Sequence, residues 1–114
     1  MLKREDIQIP DRPSRVVHSD MLGGEVLVLG MMHSERMQYY SEMRESLGSD
    51  EKSPERFKVV PFLLSRVVVG EDHKPLLTME EWDRIGAHDD TGMMELFQVA
   101  QEVSGLNQED IAKN

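Results

Sequence analysis

Apolar positions along the chain alternate first at the spacing of strands and later at that of helices. Two short apolar runs, Arg15–His18 and Glu25–Leu29, flank Asp20 and the pair Gly23–Gly24. Strand, glycine turn, strand predicts a β-hairpin. Val26 and Val28 fall on one face of its second strand, Leu27 and Leu29 on the other. With both faces apolar, that strand is expected to be covered on both sides. Ahead of the hairpin, Lys3–Ile7 can form a loose helical turn. Pro10–Asp11–Arg12–Pro13 ends it, because proline lacks an N–H and constrains the residue before it.

From Ser34 onward the spacing is helical. Ser34 is placed to cap a helix that runs to about Leu47 and stops at Gly48. Met37, Tyr40 and Leu47 make one stripe of it, Tyr39 and Met43 a second. Only one stripe is needed for the core. After the polar loop Gly48–Ser53, Ser53–Pro54–Glu55 reads as an N-cap, a first-turn proline and a dipole-matching acid. The helix it opens should reach about Val69, with Phe57, Val60, Leu64 and Val67 or Val68 on one side and Val59, Phe62 and Leu63 around the rest. A helix apolar nearly all round belongs in the middle of a fold or in a subunit contact. Pro61 is expected to kink it. Val67–Val69, a run of β-branched residues, competes as a strand at its end.

Gly70–Pro75 is a turn. Thr78 and Glu81 form a capping box ahead of Trp82 and Ile85, in a short helix ending near Gly86. Asp90 or Thr91 can cap the next helix, which should run to about Ser104. It has Leu96, Val99, Ala100 and Val103 on one face, flanked by Met93 and Phe97. Gly105 followed by Leu106 fits a Schellman stop, and Asn107 can cap a last turn through Asp110 and Ile111. The expected fold is α+β: a mostly α-helical single domain over 1–114, with a small hairpin at about 14–30 and a helical body at about 34–112.

Charge sharpens this picture. The chain has 114 residues and a formal net charge of −9. Residues 1–69 carry 11 acidic and 10 basic side chains, whereas residues 70–114 carry 11 and 3. A nucleic-acid backbone would be repelled by the second part, so no nucleic-acid partner is expected. A basic protein partner would be steered toward it. There is no cysteine, hence no disulfide framework and no cysteine zinc site. The apolar run Val59–Ser65 is far shorter than a membrane span, and no signal or lipidation motif is visible at the start.

The groups that carry chemistry elsewhere have local uses here. None of His18, His33, His73 and His88 has a second histidine at metal-ligand spacing on one helix. His88–Asp89–Asp90 could offer oxygens to a cation but is better used as a helix cap. His33–Ser34–Glu35 is a sequence fragment of a triad, whose members seldom adjoin in a chain. Gly23–Gly24 lacks the rest of a phosphate loop. No catalytic residue, cofactor or metal is therefore expected. The unusual feature is nine methionines, with pairs at Met31–Met32 and Met93–Met94. Methionine adapts its shape, which suits a surface that binds through several packings, or a small core with gaps to fill. Met37 and Met79 read as gap-fillers. Met43 and Met94 fall off the main stripes and are open to either use.

The succession of elements resembles a known family. Met1–Ile7 leads the hairpin Arg15–Leu29, and an amphipathic helix opens at Ser34–Glu35–Arg36. An apolar helix then runs into Val69–Gly70–Glu71–Asp72–His73–Lys74–Pro75–Leu76–Leu77–Thr78. The end is Leu96–Phe97–Gln98–Val99–Ala100, then Val103–Ser104–Gly105–Leu106. Nearly the whole chain resembles the tail assembly chaperones of long-tailed phages and prophages, Pro61 and the charged loop Ser49–Glu55 being departures.

That resemblance implies a protein that coats the tape measure protein before tail tube subunits polymerise, engages the tube protein, acts in the cytoplasm of the bacterial host and is absent from the mature virion. It also implies a longer form made by ribosomal frameshift, for which Lys113–Asn114 would be encoded by the slippery run A AAA AAC. Tyr39, Met43, Phe62, Leu63, Met94 and Phe97 are the expected contacts for the partner or for a homo-oligomer. Two rival expectations stand beside it: an acidic inhibitor that mimics nucleic acid toward a basic protein, and a metal-dependent hydrolase built on His88, Asp89 and Asp90.

Overall fold

A computed structural model describes residues 1–48 and 58–106. A 3-10 turn at Arg4–Asp6 precedes β1 (Ser14–Ser19), β2 (Gly24–Leu29) and α1 (His33–Gly48). Then follow α2 (Val59–Val67), β3 (Val68–Val69), α3 (Met79–Gly86) and α4 (Asp90–Val103). The fold is α+β, one small domain of helices packed with an antiparallel sheet in the order β1-β2-β3. The expected cap at Ser53–Glu55 and the last turn at Asn107–Ile111 lie outside the described residues. Among the described residues no helix is long and apolar enough to cross a membrane.

The hairpin forms where the pattern placed it, with Ser14 opposite Leu29 and Ser19 opposite Gly24. Its turn closes because Gly23 takes φ +82°, a conformation open to glycine at little cost. The buried Ser19 receives the N–H groups of Gly23 at its carbonyl (2.9 Å) and Leu22 at its hydroxyl (3.2 Å). Val26, Val28 and Leu29 of β2 are buried and Leu27 half-buried, as expected of a central strand.

The segment after Val59 resolves the competition between helix and strand by splitting. Val68 leaves the helix while its N–H still bonds the Leu64 carbonyl. Val68 and Val69 then pair with Val28 and Leu27 of β2. A third β-branched residue in a row gains more from the ladder than from another helical turn. Pro61 lies early in α2 as described. It is the third residue of the helix, in the first turn, where a missing N–H has no intrahelical partner to lose. Pro61, Phe62, Leu63, Leu64 and Val67 are all buried, each large aliphatic or aromatic side chain worth roughly 1.5–3 kcal/mol of burial.

Two caps follow the sequence and two differ. In α3 the capping box is complete: Thr78 Oγ1 accepts from Glu81 N–H (3.2 Å) and Glu81 Oε1 accepts from Thr78 N–H (3.0 Å). After α4, Gly105 at φ +78° sends its N–H to Glu102 O (3.0 Å), and Leu106 sends its own to Gln101 O (2.8 Å). This is the full Schellman pair, and Leu106 is buried. The expected stop of α1 at Gly48 borders residues that are not described.

Ser34 is not a cap. The helix begins one residue earlier, and Glu35 Oε1 reaches back to accept the N–H of Met32 (2.9 Å). Similarly α4 is capped by Asp89, which accepts from Gly92 N–H (2.8 Å), rather than by Asp90 or Thr91. In both helices the carboxylate that meets the bare N–H groups also complements the positive end of the helix.

The junctions are tied at long range. Arg12 donates from Nε to Gly30 O (2.6 Å) and from its guanidinium to Glu35 (2.6 Å). Met31 N–H donates to Ser104 Oγ (2.9 Å), and Arg36 donates to the Ser104 carbonyl. The link from β2 into α1 is thus bound to the end of α4.

Candidate functional site

The six residues expected at a contact surface separate into two groups. Tyr39 and Leu63 are each 1% exposed and Phe62 is 7% exposed, so these three are core residues of the folded chain. Tyr39 is the pin between α1 and α4, its hydroxyl accepting from Gln101 Nε2 at 3.4 Å. Burial raises its pKa above the ordinary 10.0, with Tyr40 adding slightly and the Gln101 hydrogen bond opposing. Phe62 is roofed by the Arg66 guanidinium, 5.1 Å from its ring centre, a cation–π contact that takes up the face a partner would need. Met43 and Phe97 are half-buried against the core. Met94 alone of the six is well exposed, at 43%.

Helix geometry explains the difference in α1. Tyr39, Tyr40 and Met43 lie within an arc of about 100° and form one face rather than two stripes. All three turn inward, and the tyrosine rings sit 6.0 Å apart. Met37 lies on the far side at 44% exposure, so it fills no gap in the core. Of the pair Met31–Met32, Met31 is buried and Met32 exposed. Measuring the angle from Tyr39 would have placed Met37 outside.

The exposed Met94 opens onto a furrow built by α2, α3 and α4. One hollow of about 350 Å³ is lined by Lys58, Pro61, Met79, Glu80 and Asp83. An adjoining one of about 420 Å³ is lined by Val60, Asp83, Gly86, Ala87, Asp90, Met93 and Met94. Asp83 stands on the rim of both. The floor is aliphatic and thioether; Gly86 lets α3 close on Met93, since a Cβ there would stand 2.8 Å from the sulfur. The rim is acidic. Glu80 spends its charge on Arg84 at 3.7 Å, whereas Asp83 and Asp90 have no ion-pair partner among the described residues. Part of the acidity of residues 70–114, at Glu80, Asp83 and Asp90, thus borders this groove.

A third hollow, about 320 Å³, lies between the hairpin turn and the start of α4, bordered by His18, Asp20, Asp89 and Glu95. Its Asp89 is occupied in capping α4, and His18 meets Asp20 at 3.0 Å in full solvent. Among the described residues no three acidic or histidine side chains gather where they could hold a metal ion. His33, His73 and His88 are all exposed. His88–Asp89–Asp90 is the approach to a helix.

No protein-family model, curated protein or solved structure matches this chain.

Proposed function

We propose that this chain is a tail assembly chaperone of a long-tailed phage, holding apolar helical stretches of the tape measure protein until tail tube subunits enclose them. The groove of α2, α3 and α4 carries the reading. A methionine-bearing floor suits helices of varied sequence, because thioether side chains repack at low cost. An acidic rim selects helices that bear Lys or Arg beside their apolar stripe and keeps the loaded complex in solution. The resemblance in the succession of elements, from the hairpin Arg15–Leu29 to Val103–Leu106, supports the same reading. On this reading the chain works in the host cytoplasm, also meets the tail tube protein and leaves no copy in the virion.

The test is co-expression with the tape measure protein encoded near it. Wild type should raise the soluble fraction of the tape measure protein several-fold and co-purify with it. Met94→Glu together with Met79→Glu should abolish both effects. A tape measure protein that stays equally insoluble with or without this chain would remove the proposal.

The concentration of negative charge in residues 70–114 favours one second reading, an acidic inhibitor of a basic host protein. It requires that DNA compete with the chain for that protein. Binding that survives excess DNA, and is lost with the methionine changes, decides for the chaperone.

A further inference from the structure

The sheet has two outer edges, and only one is closed. Beside β3, Leu76 N–H donates to Val68 O (3.3 Å) and Pro75 bridges to Val69. The β1 edge differs. Gly30 N–H donates to Pro13 O (2.7 Å), which makes that the first hydrogen-bonded pair of the hairpin. Antiparallel pairs alternate between bonded and non-bonded. In the observed register Arg15–Val28 and Val17–Val26 are then the bonded pairs. The N–H and C=O groups of Ser14, Val16 and His18 must point away from β2. The same alternation turns Val68 outward from β2, where Leu76 is found, so the phase is checked at the other edge. None of the backbone groups of Ser14, Val16 and His18 has a hydrogen-bond partner among the described residues.

The open edge also lacks the usual guards. β1 is six residues long in unbroken register and contains neither lysine nor proline. At its centre Val16 is 64% exposed. The chain ahead of it projects as an arm, with Ile7 57% and Ile9 80% exposed.

We propose that β1 pairs antiparallel with β1 of a second copy of this chain, across a two-fold axis at Val16. The outward groups lie at Ser14, Val16 and His18, symmetric about Val16. Setting Val16 against Val16, and Ser14 against His18, gives every one of them a mate. No like charges meet: Arg15 faces Val17 of the second copy and is held by its own Glu102 at 2.9 Å. The exposed valine gains the β-branched cross-strand neighbour it lacks. A strand edge by itself falls short of the roughly 800 Å² per partner of a stable dimer. Antiparallel pairing runs each arm past Ser19 of the other copy, toward its hairpin turn, where Ile7 and Ile9 can add apolar area. Edge and arm reside on one chain and complement each other under one symmetry operation, which is why the occupant is a second copy. The inference does not depend on the chaperone reading.

Sedimentation equilibrium of the full chain over a wide concentration range tests it. Wild type should form dimers. Val16→Pro removes an outward N–H without breaking a bond to β2, and Val16→Lys sets two like charges opposite each other. Each should raise the dissociation constant about tenfold or more, as should Ile9→Asp by a smaller factor, while dilute samples melt like wild type. Because the chain has no cysteine, Val16→Cys can carry a single nitroxide. Its spectrum should broaden by spin–spin contact in the dimer and sharpen on dilution. A chain monomeric at millimolar concentration, a dimer indifferent to Val16→Pro and Val16→Lys, or a dimer without spin broadening would each overturn the proposal, the last by showing that another strand or the arm occupies the edge.

Discussion

Met31 and Ser104 are 73 residues apart in sequence, yet the buried N–H of Met31 donates to the Ser104 hydroxyl at 2.9 Å. This bond lies where the sheet hands over to α1 and where α4 ends. It satisfies a backbone donor that neither β2 nor α1 can reach.

Ser104→Ala should therefore cost more than an average surface change. It leaves a buried N–H without an acceptor, a penalty of about 1–3 kcal/mol. A lower urea midpoint with an unchanged slope would show it.

Gly30, one residue earlier, should tolerate no side chain. A Cβ there would stand 2.9 Å from the Val103 carbonyl oxygen and 3.2 Å from Pro13 Cβ, whereas a Cβ at Gly24 meets nothing within 4 Å. Because the Val103 atom is backbone, relief requires α4 to move. Gly30→Ala is expected to destabilise by about 1–3 kcal/mol, and Gly24→Ala by well under 1 kcal/mol. Paired thermal melts of the two variants distinguish them.

Tyr39 supplies a pH dependence with a definite sign. Burial favours its neutral phenol, so its folded pKa lies above the ordinary 10.0. A group whose pKa is raised on folding contributes its full stability below the unfolded value and loses it as pH rises through the folded one. The wild type should therefore weaken as pH climbs above about 10. Tyr39→Phe should show a shallower loss there and little change at pH 7, where only a long hydrogen bond to Gln101 is removed. Urea midpoints measured from neutral to alkaline pH would reveal the difference; parallel curves would count against it.

Met94 and Leu63 should respond oppositely to the same replacement. Met94→Glu adds a charge at an exposed position and should alter stability by less than about 0.5 kcal/mol. Leu63→Glu buries an unpaired carboxylate in the core and should prevent folding. Circular dichroism reports the first as native and the second as unfolded. Only Met94→Glu then informs on binding in the groove.

The contact residues expected from sequence illustrate what periodicity can and cannot say. Tyr39, Phe62 and Leu63 were expected at a surface because their helices carry more apolar positions than one face needs. Each is covered, Tyr39 by packing across to Gln101 and Phe62 in part by Arg66. A surplus of apolar positions shows that a helix is enclosed; it does not say whether its own chain or another encloses it. Nor did the pattern reveal the groove. Its walls are Pro61, Met79, Asp83 and Met94, residues of three helices whose approach no local spacing encodes.

What the sequence by itself determined is local. The Thr78–Glu81 box, the Gly105–Leu106 stop and the Gly23 turn all arise from groups within five residues of one another, so the same atoms meet whatever surrounds them. Tertiary structure decided the rest. Val68 and Val69 are strand because β2 lies alongside with free groups at Leu27. Pro61 is harmless because α2, as the structure describes it, starts at Val59. Tyr39 is inside because α1 packs on α2 and the tyrosine hydroxyl meets Gln101 of α4, whereas Met37 is left exposed. In each case the local alternatives differ by about a kilocalorie or less, and contacts between distant parts of the chain outweigh them.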